Sequence, residues 1–278
     1  MTSKTAFVLP GQGSQYVGMG QDLYQTYPEA YTVFAEADET LGFALSKLCF
    51  EGPGDVLTDT INAQPAILTT SIACLRVLGT VVGNAQADLP SPLFVAGHSL
   101  GEYSALVAAG SLTFADAVRL TRERGRLMKE AGDRAPGSMA AVLNLEAPLL
   151  EDICQAASEE TGGIVQVANY NSPGQIVISG DKETLEKAME LAKERGARRV
   201  IPLAVSAAFH SPLMDCIVDE FRQAVEAAPL KEAVIPVVAN VNARPLTKVE
   251  EIRKELVQQL TSPVRWTESV QYMIEQEV

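Results

Sequence analysis

Short apolar runs alternate with segments of helical period along this chain, and their order predicts an α/β protein. TAFVLP and LFVAG have the composition of buried strands. Helical periodicity covers residues 17–40, 65–83, the segment after Ser99 and residues 113–131, where Thr113 is the expected N-cap. Because strands alternate with helices, we expect a mainly parallel sheet in this part of the chain.

The order of elements changes after residue 133. MAAVLNL predicts a strand, PLLEDICQAASEE a helix, IVQVANY and QIVISG two strands, DKETLEKAMELAKERGA a helix capped by Asp181, and RRVIPLAV a last strand. This succession is the ferredoxin-like split βαβ pattern. We therefore expect a small ferredoxin-like lobe over residues 134–205, inserted into a large domain of residues 1–133 and 206–278. The strand IPVVANV and the closing helices belong to the large domain.

Composition narrows the class of protein. A chain of 278 residues with a net charge of −13 has enough residues for a sizeable core, and its charge argues against nucleic acid and anionic membrane as partners. AFVL is too short for a secretory signal, and no other segment is expected to be long enough to span a bilayer. The four cysteines lie far apart, which predicts small buried thiols, neither disulfides nor zinc, and a cytoplasmic protein.

Residues 97–101, GHSLG, lie between the strand LFVAG and a helical pattern that ends at Gly110. In a nucleophile elbow the two glycines let the backbone turn sharply, which exposes the serine hydroxyl, and the helix amides that follow favour negative charge. The alternative is a tight turn with an N-capping serine. The flanking strand and helix favour Ser99 as a nucleophile, and an α/β-hydrolase-like large domain.

A serine nucleophile needs a base, and the chain has two histidines. The side chain of His98 should diverge from that of its neighbour Ser99, whereas His210 follows a strand and lies in a predicted loop. His210 is therefore the expected base. Asp215, Asp219 or a backbone carbonyl could orient its imidazole.

An arginine lies on the apolar face of the helix predicted at residues 113–131. Arg124 falls near the middle of a stripe formed by Ala117, Leu120, Leu127, Met128 and Ala131. A buried guanidinium needs a carboxylate, which is either a structural ion-pair partner or part of a substrate.

The segment GQGSQ, residues 11–15, also has two interpretations. Its small residues could turn the chain after the first strand, or they could bring a backbone N–H close to a ligand.

Several segments together resemble the malonyl-CoA:acyl carrier protein transacylases and the related acyltransferase domains of polyketide synthases. They are FVLPGQGSQYVGMG, INAQPAI, AGHSLGEYSALVAAG, RGRLM, NYNSPGQIVISG, FHSPLM and SPVRW, in this order over essentially the whole chain. The resemblance implies transfer of malonyl from malonyl-CoA to the phosphopantetheine thiol of holo acyl carrier protein, for fatty acid synthesis, by a ping-pong route through malonyl-serine. A trans-acting polyketide synthase acyltransferase and a serine thioesterase or hydrolase are the alternatives.

The same resemblance implies a role for each matching residue. Ser99 corresponds to the nucleophile, His210 to the base, and Arg124 to the clamp for the malonyl carboxylate. Gln12 and Leu100 correspond to the oxyanion-hole amides, and Asn171 and Gln259 to positions near the histidine. Asn171, Gln64 and Met128 are further implied to bind substrate. The Gln259 carbonyl is expected to orient the imidazole. Phe209 corresponds to the malonyl-selective form of its motif, because its ring should crowd an α-methyl branch.

The expected partners follow from the same family. Neither metal nor cofactor is implied, since the CoA thioester and phosphopantetheine are substrates, and a monomer is expected. The basic group Lys193, Arg195, Arg198 and Arg199 could dock an acidic carrier protein or could be a solvated helix end. The family usually continues beyond the position of Val278 with a strand, a Gly-Pro-Gly turn and a helix.

Overall fold

A computed structural model describes residues 4–84, 91–205 and 207–278 of the chain. The first half places two strands among a layer of helices. Its elements are β1 (Ala6–Leu9), α1 (Gln21–Thr26), α2 (Pro28–Leu41), α3 (Leu45–Glu51), α4 (Gly54–Thr58), α5 (Thr60–Asn84), β2 (Phe94–Gly97), α6 (Gly101–Ala108) and α7 (Phe114–Arg134). Thr113 caps α7 as expected, because its side chain accepts a hydrogen bond from the backbone N–H of Asp116.

The middle of the chain forms a second sheet with two helices. Its elements are β3 (Gly137–Leu143), α8 (Ala147–Thr161), β4 (Val165–Ser172), β5 (Gln175–Asp181), α9 (Lys182–Glu194) and β6 (Arg199–Pro202). The strands are antiparallel and lie in the order β4-β5-β3-β6. This part has a hydrophobic core of its own, which includes Leu150, Ile153, Ile178 and Leu185. Asp181 caps α9 as expected.

The last part of the chain returns to the first sheet. It contains a 3₁₀ helix (Pro212–Ile217), α10 (Val218–Ala227), β7 (Val237–Val238), β8 (Pro245–Leu246), α11 (Val249–Gln258) and α12 (Trp266–Glu275). The first sheet has the order β1-β2-β7-β8, in which β1, β2 and β7 are parallel and β8 is antiparallel to β7. The fold is therefore α/β with two sheets. The sequence pattern predicts a strand over residues 235–241, but only two of these residues are in β7.

The register of β1 and β2 brings the two glycine-rich segments together. Leu9 is paired with Gly97, so GQGSQ and GHSLG leave the same edge of the sheet side by side. A Cβ on Gly11 would lie 2.3 Å from the backbone oxygen of His98, which leaves no room for a side chain. This parallel pairing positions the candidate site.

Helix α5 corrects the expectation that no segment is long enough to span a membrane. Its Thr60–Val82 stretch is long and apolar enough by length and composition, and half of its most apolar stretch is buried inside the protein. The helix packs against α2 and α7, as the core helix of a globular fold does. Its helical conformation also begins before Pro65, which the pattern takes as the start.

The cysteines only partly follow the expectation of small buried thiols. All four are free, as predicted, and Cys49 and Cys154 are buried. Cys74 and Cys216 are exposed instead, because Cys74 lies on the outer face of α5 and Cys216 lies in the 3₁₀ helix at the surface.

Candidate active site

Ser99 lies in a sharp turn between β2 and α6. Its φ angle is +50°, in the left-handed region that residues other than glycine rarely adopt. The glycines on either side are required by space, since a Cβ on Gly97 would lie 1.9 Å from the backbone of Gly101, and a Cβ on Gly101 would lie 2.3 Å from the Leu9 oxygen. This is the geometry of a nucleophile elbow, with the hydroxyl at the start of a helix.

The side chain of Asn240 clamps the elbow from the neighbouring strand end. Its Oδ1 accepts a 2.6 Å hydrogen bond from the Ser99 backbone N–H, and its Nδ2 donates to the Gly97 carbonyl at 2.7 Å. Asn240 follows β7, which is hydrogen-bonded to β2. No sequence pattern marks this residue, because the asparagine lies 141 positions from Ser99 and belongs to no local motif.

His210 is in contact with Ser99. The Nε2 atom of His210 lies 2.8 Å from Ser99 Oγ, and Nδ1 lies 2.8 Å from the main-chain carbonyl oxygen of Gln259. Because a carbonyl only accepts, Nδ1 carries the proton and Nε2 is free to accept the serine proton. Gln166 of β4 donates to the His210 carbonyl at 2.8 Å, so the second sheet supports the loop that holds the histidine.

The group that orients the imidazole is a backbone carbonyl. Asp215 is exposed, and the side chain of Asp219 is 95% exposed next to Arg222. Neither aspartate is a hydrogen-bond partner of His210, whereas Gln259, at the C-terminal end of α11, is fully buried and supplies its carbonyl. Ser99, His210 and the Gln259 carbonyl are thus connected by two successive hydrogen bonds through the imidazole ring.

Burial and the positive charge of Arg124 lower the pKa of His210 to about 3. Both effects disfavour the imidazolium, since burial removes water from a charged ring and a nearby cation repels it. The histidine is therefore neutral at physiological pH. A neutral imidazole is the form that can accept a proton from serine.

Arg124 lies on the buried face of α7, as its helical period predicts, and is 0% exposed. Nη1 donates to Gln64 Oε1 at 2.8 Å, while Nη2 donates to Gln259 Oε1 at 2.8 Å and to Ser99 Oγ at 3.1 Å. Within residues 4–84, 91–205 and 207–278, no carboxylate oxygen lies within 4.0 Å of its guanidinium nitrogens, and its Nε has no hydrogen-bond partner. Polar amides thus surround the cation, but no ion pair neutralises it.

A cavity of about 390 Å³ opens onto Ser99 and His210. Its apolar wall includes Met128, Met139, Leu203 and Phe209. Met128 and Phe209 thus lie where the sequence analysis expects them. Gln64 is buried behind this wall, where its Nε2 contacts Met128 Sδ at 3.3 Å and Thr60 Oγ1 at 2.9 Å. It reaches the site through Arg124 instead of lining the cavity.

The two amides expected in an oxyanion hole are available. Gln12 lies in the turn after β1 and lines the cavity, and Leu100 begins α6 directly after Ser99. In the part of the chain that the structure describes, neither backbone N–H donates to another protein atom. Free amides at a helix N-terminus favour developing negative charge.

Asn171 does not lie where the sequence analysis expects it. Its Oδ1 is 2.8 Å from Nε2 of His98, so it pairs with the histidine of the elbow and not with His210. Because strand β4 is irregular here, Asn169 and not Asn171 lines the cavity. The pairing with Asn171 holds the ring of His98, which lines the same cavity as Ser99 but is not bonded to its hydroxyl.

Two buried carboxyl groups behind the elbow are also missed by the sequence analysis. Glu102 is 1% exposed and Glu255 is 4% exposed, and both accept hydrogen bonds from the segment that follows β7. Glu102 is the last residue of the segment GHSLGE, but nothing in the sequence pattern around it indicates that its carboxyl group is buried. Among the described residues, no cluster of His, Cys, Asp or Glu is arranged to hold a metal ion.

The four basic residues between α9 and β6 are all exposed. Lys193 lies in the last turn of α9, and Arg199 opens β6. No carboxylate among the described residues lies within 4.0 Å of any of the four. The strand that Arg199 opens ends at Pro202, directly before Leu203, which lines the cavity, so Arg199 lies about 13 Å along the chain from the cavity wall.

Comparison with known proteins agrees with this geometry. The acyl transferase domain family matches residues 6–278. The malonyl CoA-acyl carrier protein transacylase of Bacillus subtilis is 50% identical over 272 residues, which cover 98% of this chain and 83% of that protein. The protein of the same description from Escherichia coli strain K12 is 45% identical over 273 residues, with 98% and 86% coverage.

Solved structures agree as well. The malonyl CoA-acyl carrier protein transacylase of Coxiella burnetii superposes with a TM-score of 0.93 at 38% identity, over 99% of this chain and 85% of that one. A type II PKS acyl-carrier protein in complex with its malonyl-transacylase gives a TM-score of 0.92 at 41% identity, with 99% and 87% coverage. The chain therefore belongs to the acyl transferase domain family and, within it, to the malonyl CoA-acyl carrier protein transacylases.

Proposed function

We propose that this enzyme transfers the malonyl group from malonyl-CoA to the phosphopantetheine thiol of holo acyl carrier protein, in fatty acid synthesis, by a ping-pong route through a malonyl ester of Ser99. One observation carries the proposal beyond family membership. Arg124 is a fully buried cation without a carboxylate partner within 4.0 Å among the described residues, and it touches Ser99 Oγ. An acyl group with a free acid at its far end would supply the missing anion.

In the first half of the reaction, His210 Nε2 accepts the Ser99 proton while Oγ attacks the thioester carbonyl. The Gln12 and Leu100 amides stabilise the oxyanion, and the Gln259 carbonyl stabilises the imidazolium. When the carbon–sulfur bond breaks, His210 returns the proton to the CoA thiolate. The product is neutral imidazole and malonyl-Ser99.

The second half reverses these roles with a different thiol. The phosphopantetheine thiol gives its proton to His210 and attacks the ester carbonyl, and Ser99 leaves with that proton. Arg124 holds the acyl group in one orientation between the halves. Each bond made or broken involves serine, histidine or substrate, so the proposal requires neither a metal nor a bound cofactor.

The finer description of the fold is part of the proposal. We place the large α/β-hydrolase-like domain at residues 1–133 and 206–278 and the ferredoxin-like lobe at residues 134–205. The elbow between β2 and α6 supports the first assignment, and the order β4-β5-β3-β6 supports the second.

The acidic carrier protein is proposed to dock through Lys193, Arg195, Arg198 and Arg199. The protein carries a net charge of −13, so an acidic partner needs a local basic surface. We further propose a cytoplasmic monomer that binds neither membrane nor nucleic acid. The buried packing of α5 and the acidic composition support this.

Labelled malonyl-CoA tests the function directly. Incubation should leave one malonyl group on Ser99, identified by mass spectrometry of the digested protein, and added holo carrier protein should remove it as malonyl carrier. Ser99→Ala should give neither product. Release of free malonate with an empty carrier would identify a thioesterase instead and would refute the proposal.

A trans-acting polyketide synthase acyltransferase is the second candidate. The structure of a type II PKS carrier protein with its malonyl-transacylase, 41% identical to this chain, favours keeping it. Transfer rates to fatty acid and polyketide carrier proteins, measured side by side, distinguish the two pathways.

A further inference from the structure

The side-chain amide of Gln259 is held between a buried cation and a buried carboxyl group. Its Oε1 accepts from Arg124 Nη2 at 2.8 Å, and its Nε2 donates to Glu102 Oε2 and, at 3.1 Å, to the Ser99 carbonyl. The main-chain carbonyl of the same residue accepts from His210. The nucleophile, the base and the proposed acid clamp therefore all contact Gln259.

The Arg124 guanidinium determines the orientation of this amide. A guanidinium only donates hydrogen bonds, so it must face the oxygen of Gln259, and the NH₂ group then faces Glu102. If the amide were flipped, its NH₂ group would face Arg124. The charge-assisted bond from Arg124 and the bond to Glu102 thus hold the side chain in one rotamer.

Glu102 holds the other side of the elbow with its second oxygen. It lies one turn into α6 beyond Ser99 and is 1% exposed. Its Oε1 accepts from the backbone N–H of Asn240 at 3.2 Å, and Asn240 is the residue whose side chain clamps the Ser99 N–H and the Gly97 carbonyl. A single carboxyl group thus connects the elbow clamp to Gln259.

Glu255 lies beside this carboxyl group, but its side chain does not bond Gln259. Its Oε1 accepts from the Val241 N–H at 2.8 Å, and only its main-chain carbonyl bonds Gln259, as the acceptor of the backbone N–H. Burial raises the pKa of Glu255 to about 7, and burial together with the nearby Glu255 raises the pKa of Glu102. The two groups have the same chemistry and similar burial, so Glu255 is a matched control.

We propose that Glu102 is a positioning residue of the transfer reaction, which holds Gln259 and Asn240 so that Ser99, His210 and Arg124 keep their mutual geometry. The inference rests on the proposed function. Glu102 bonds neither the hydroxyl of Ser99 nor the imidazole. It acts through the side-chain amide of Gln259 and through the backbone N–H of Asn240, whose side chain clamps the elbow.

Glu102→Gln tests this role with almost no change of shape. A carboxyl group offers two acceptor oxygens to two N–H donors, whereas glutamine offers one oxygen and one NH₂ group. One donor, on Gln259 or on Asn240, must then face another donor. We expect the kcat of Ser99 acylation by acetyl-CoA to fall about 10- to 100-fold, with KM changed less than about twofold, because displacement of reacting groups lowers the chemical rate.

Acetyl-CoA separates this inference from the malonyl clamp, because an acetyl group has no acid for Arg124 to bind. Glu255→Gln should change acetylation less than about threefold. A loss of the same size in both variants would overturn the proposal, and so would wild-type kinetics in Glu102→Gln. The absence of malonyl transfer by the wild-type enzyme would instead refute the proposed function.

A swapped pair provides the rescue. In Glu102→Gln/Gln259→Glu, the new glutamine can accept from Asn240 and donate to the new glutamate, which can still accept from Arg124. Only the bond from residue 259 to the Ser99 carbonyl is lost, so the recovery should be partial. We expect acetylation to recover at least about fivefold over the single variant, while malonylation stays low because the glutamate neutralises Arg124. Thermal unfolding identifies folded variants. If the single variant unfolds, a folded and acetylating swap supports the proposal, and an unfolded or inactive swap overturns it.

Discussion

Nη2 of Arg124 lies 3.1 Å from Oγ of Ser99, so the guanidinium touches the nucleophile itself. In a malonyl ester only one methylene separates the carbonyl carbon from the carboxylate. The Arg124 guanidinium is therefore within reach of the free carboxylate of a short diacid bound to Ser99.

Arg124→Ala should separate malonyl from acetyl transfer. Loss of a buried charge-assisted pair costs at least about 2 kcal/mol, so kcat/KM for malonyl-CoA should fall about 30-fold or more. The acetyl-CoA value should change much less, since an uncharged acyl group makes no such pair. Steady-state kinetics with both thioesters measure the ratio.

Arg126→Ala is the control for this substitution. Arg126 lies on the same helix, but it is exposed and paired with Glu123 and Glu130, so its loss should leave both activities within about twofold. Equal losses of malonyl and acetyl transfer in Arg124→Ala would exclude the clamp.

Phe209→Leu should admit a methyl branch on the substrate. The ring of Phe209 is 8% exposed and lies in the cavity wall beside His210. One methyl group is worth about 1–3 kcal/mol in pocket discrimination, so kcat/KM for methylmalonyl-CoA relative to malonyl-CoA should rise about tenfold. A competition assay with both thioesters gives this ratio. An unchanged ratio in a folded variant would exclude Phe209 as the residue that crowds the branch.

Acylation by acetyl-CoA should not slow as the pH falls from 8 to 5. Burial and the Arg124 charge lower the pKa of His210 to about 3, so the imidazole remains a neutral base over this range. In Arg124→Ala one of these causes is removed, and the acid limb should move to higher pH. Single-turnover acylation at each pH measures the limb. A wild-type rate that falls with an apparent pKa near 6.5 would contradict the lowered value.

The residues that we propose to act in the reaction could be predicted from local patterns, whereas the residues that hold them in place could not. Ser99 is in a five-residue motif, and Arg124 breaks an apolar stripe of helical period. Gln259 and Asn240 reach Ser99 across 160 and 141 residues through single side chains. No period or spacing marks such a contact. The resemblance supplied the Gln259 carbonyl but not the amide contacts, and it misplaced Asn171.

The observed ends of strands and helices differ from those that the sequence pattern predicts where tertiary contacts determine them. IPVVANV is apolar throughout, yet β7 ends at Val238 because the next residues turn to hydrogen-bond Glu102, Glu255 and the elbow. Helices α3 and α4 were not predicted, since seven and five residues are too few for a clear helical period.

Gly97→Ala should prevent the elbow from forming. The added Cβ would lie 1.9 Å from the Gly101 backbone, which no side-chain rotation can relieve. We expect a loss of about 3 kcal/mol or more in the free energy of unfolding, measured by urea denaturation.

Gly79→Ala is the control for this substitution. Gly79 is exposed in α5 with nothing within 4 Å of an added Cβ, so this change should stabilise the protein by about 0.5–1 kcal/mol. A Gly97→Ala variant as stable as wild type would contradict the close packing of the turn.

Charge reversal of Arg198 and Arg199 should impair only the half of the reaction that uses carrier protein. Both side chains are exposed with no carboxylate within 4.0 Å among the described residues, so they are free to meet an acidic partner. At low ionic strength, transfer from malonyl-Ser99 to holo carrier should slow about tenfold, and added salt should reduce the difference, because surface charges mainly set the encounter rate. Loading from malonyl-CoA should stay unchanged.

Lys231→Glu is the control for charge reversal outside this group and is compared with reversal of Arg198 or Arg199 alone. Lys231 is exposed and contacts Ser111, beyond the far end of α6 from Ser99. Equal salt dependence in the double-reversal variant and the wild type would show that the carrier docks elsewhere.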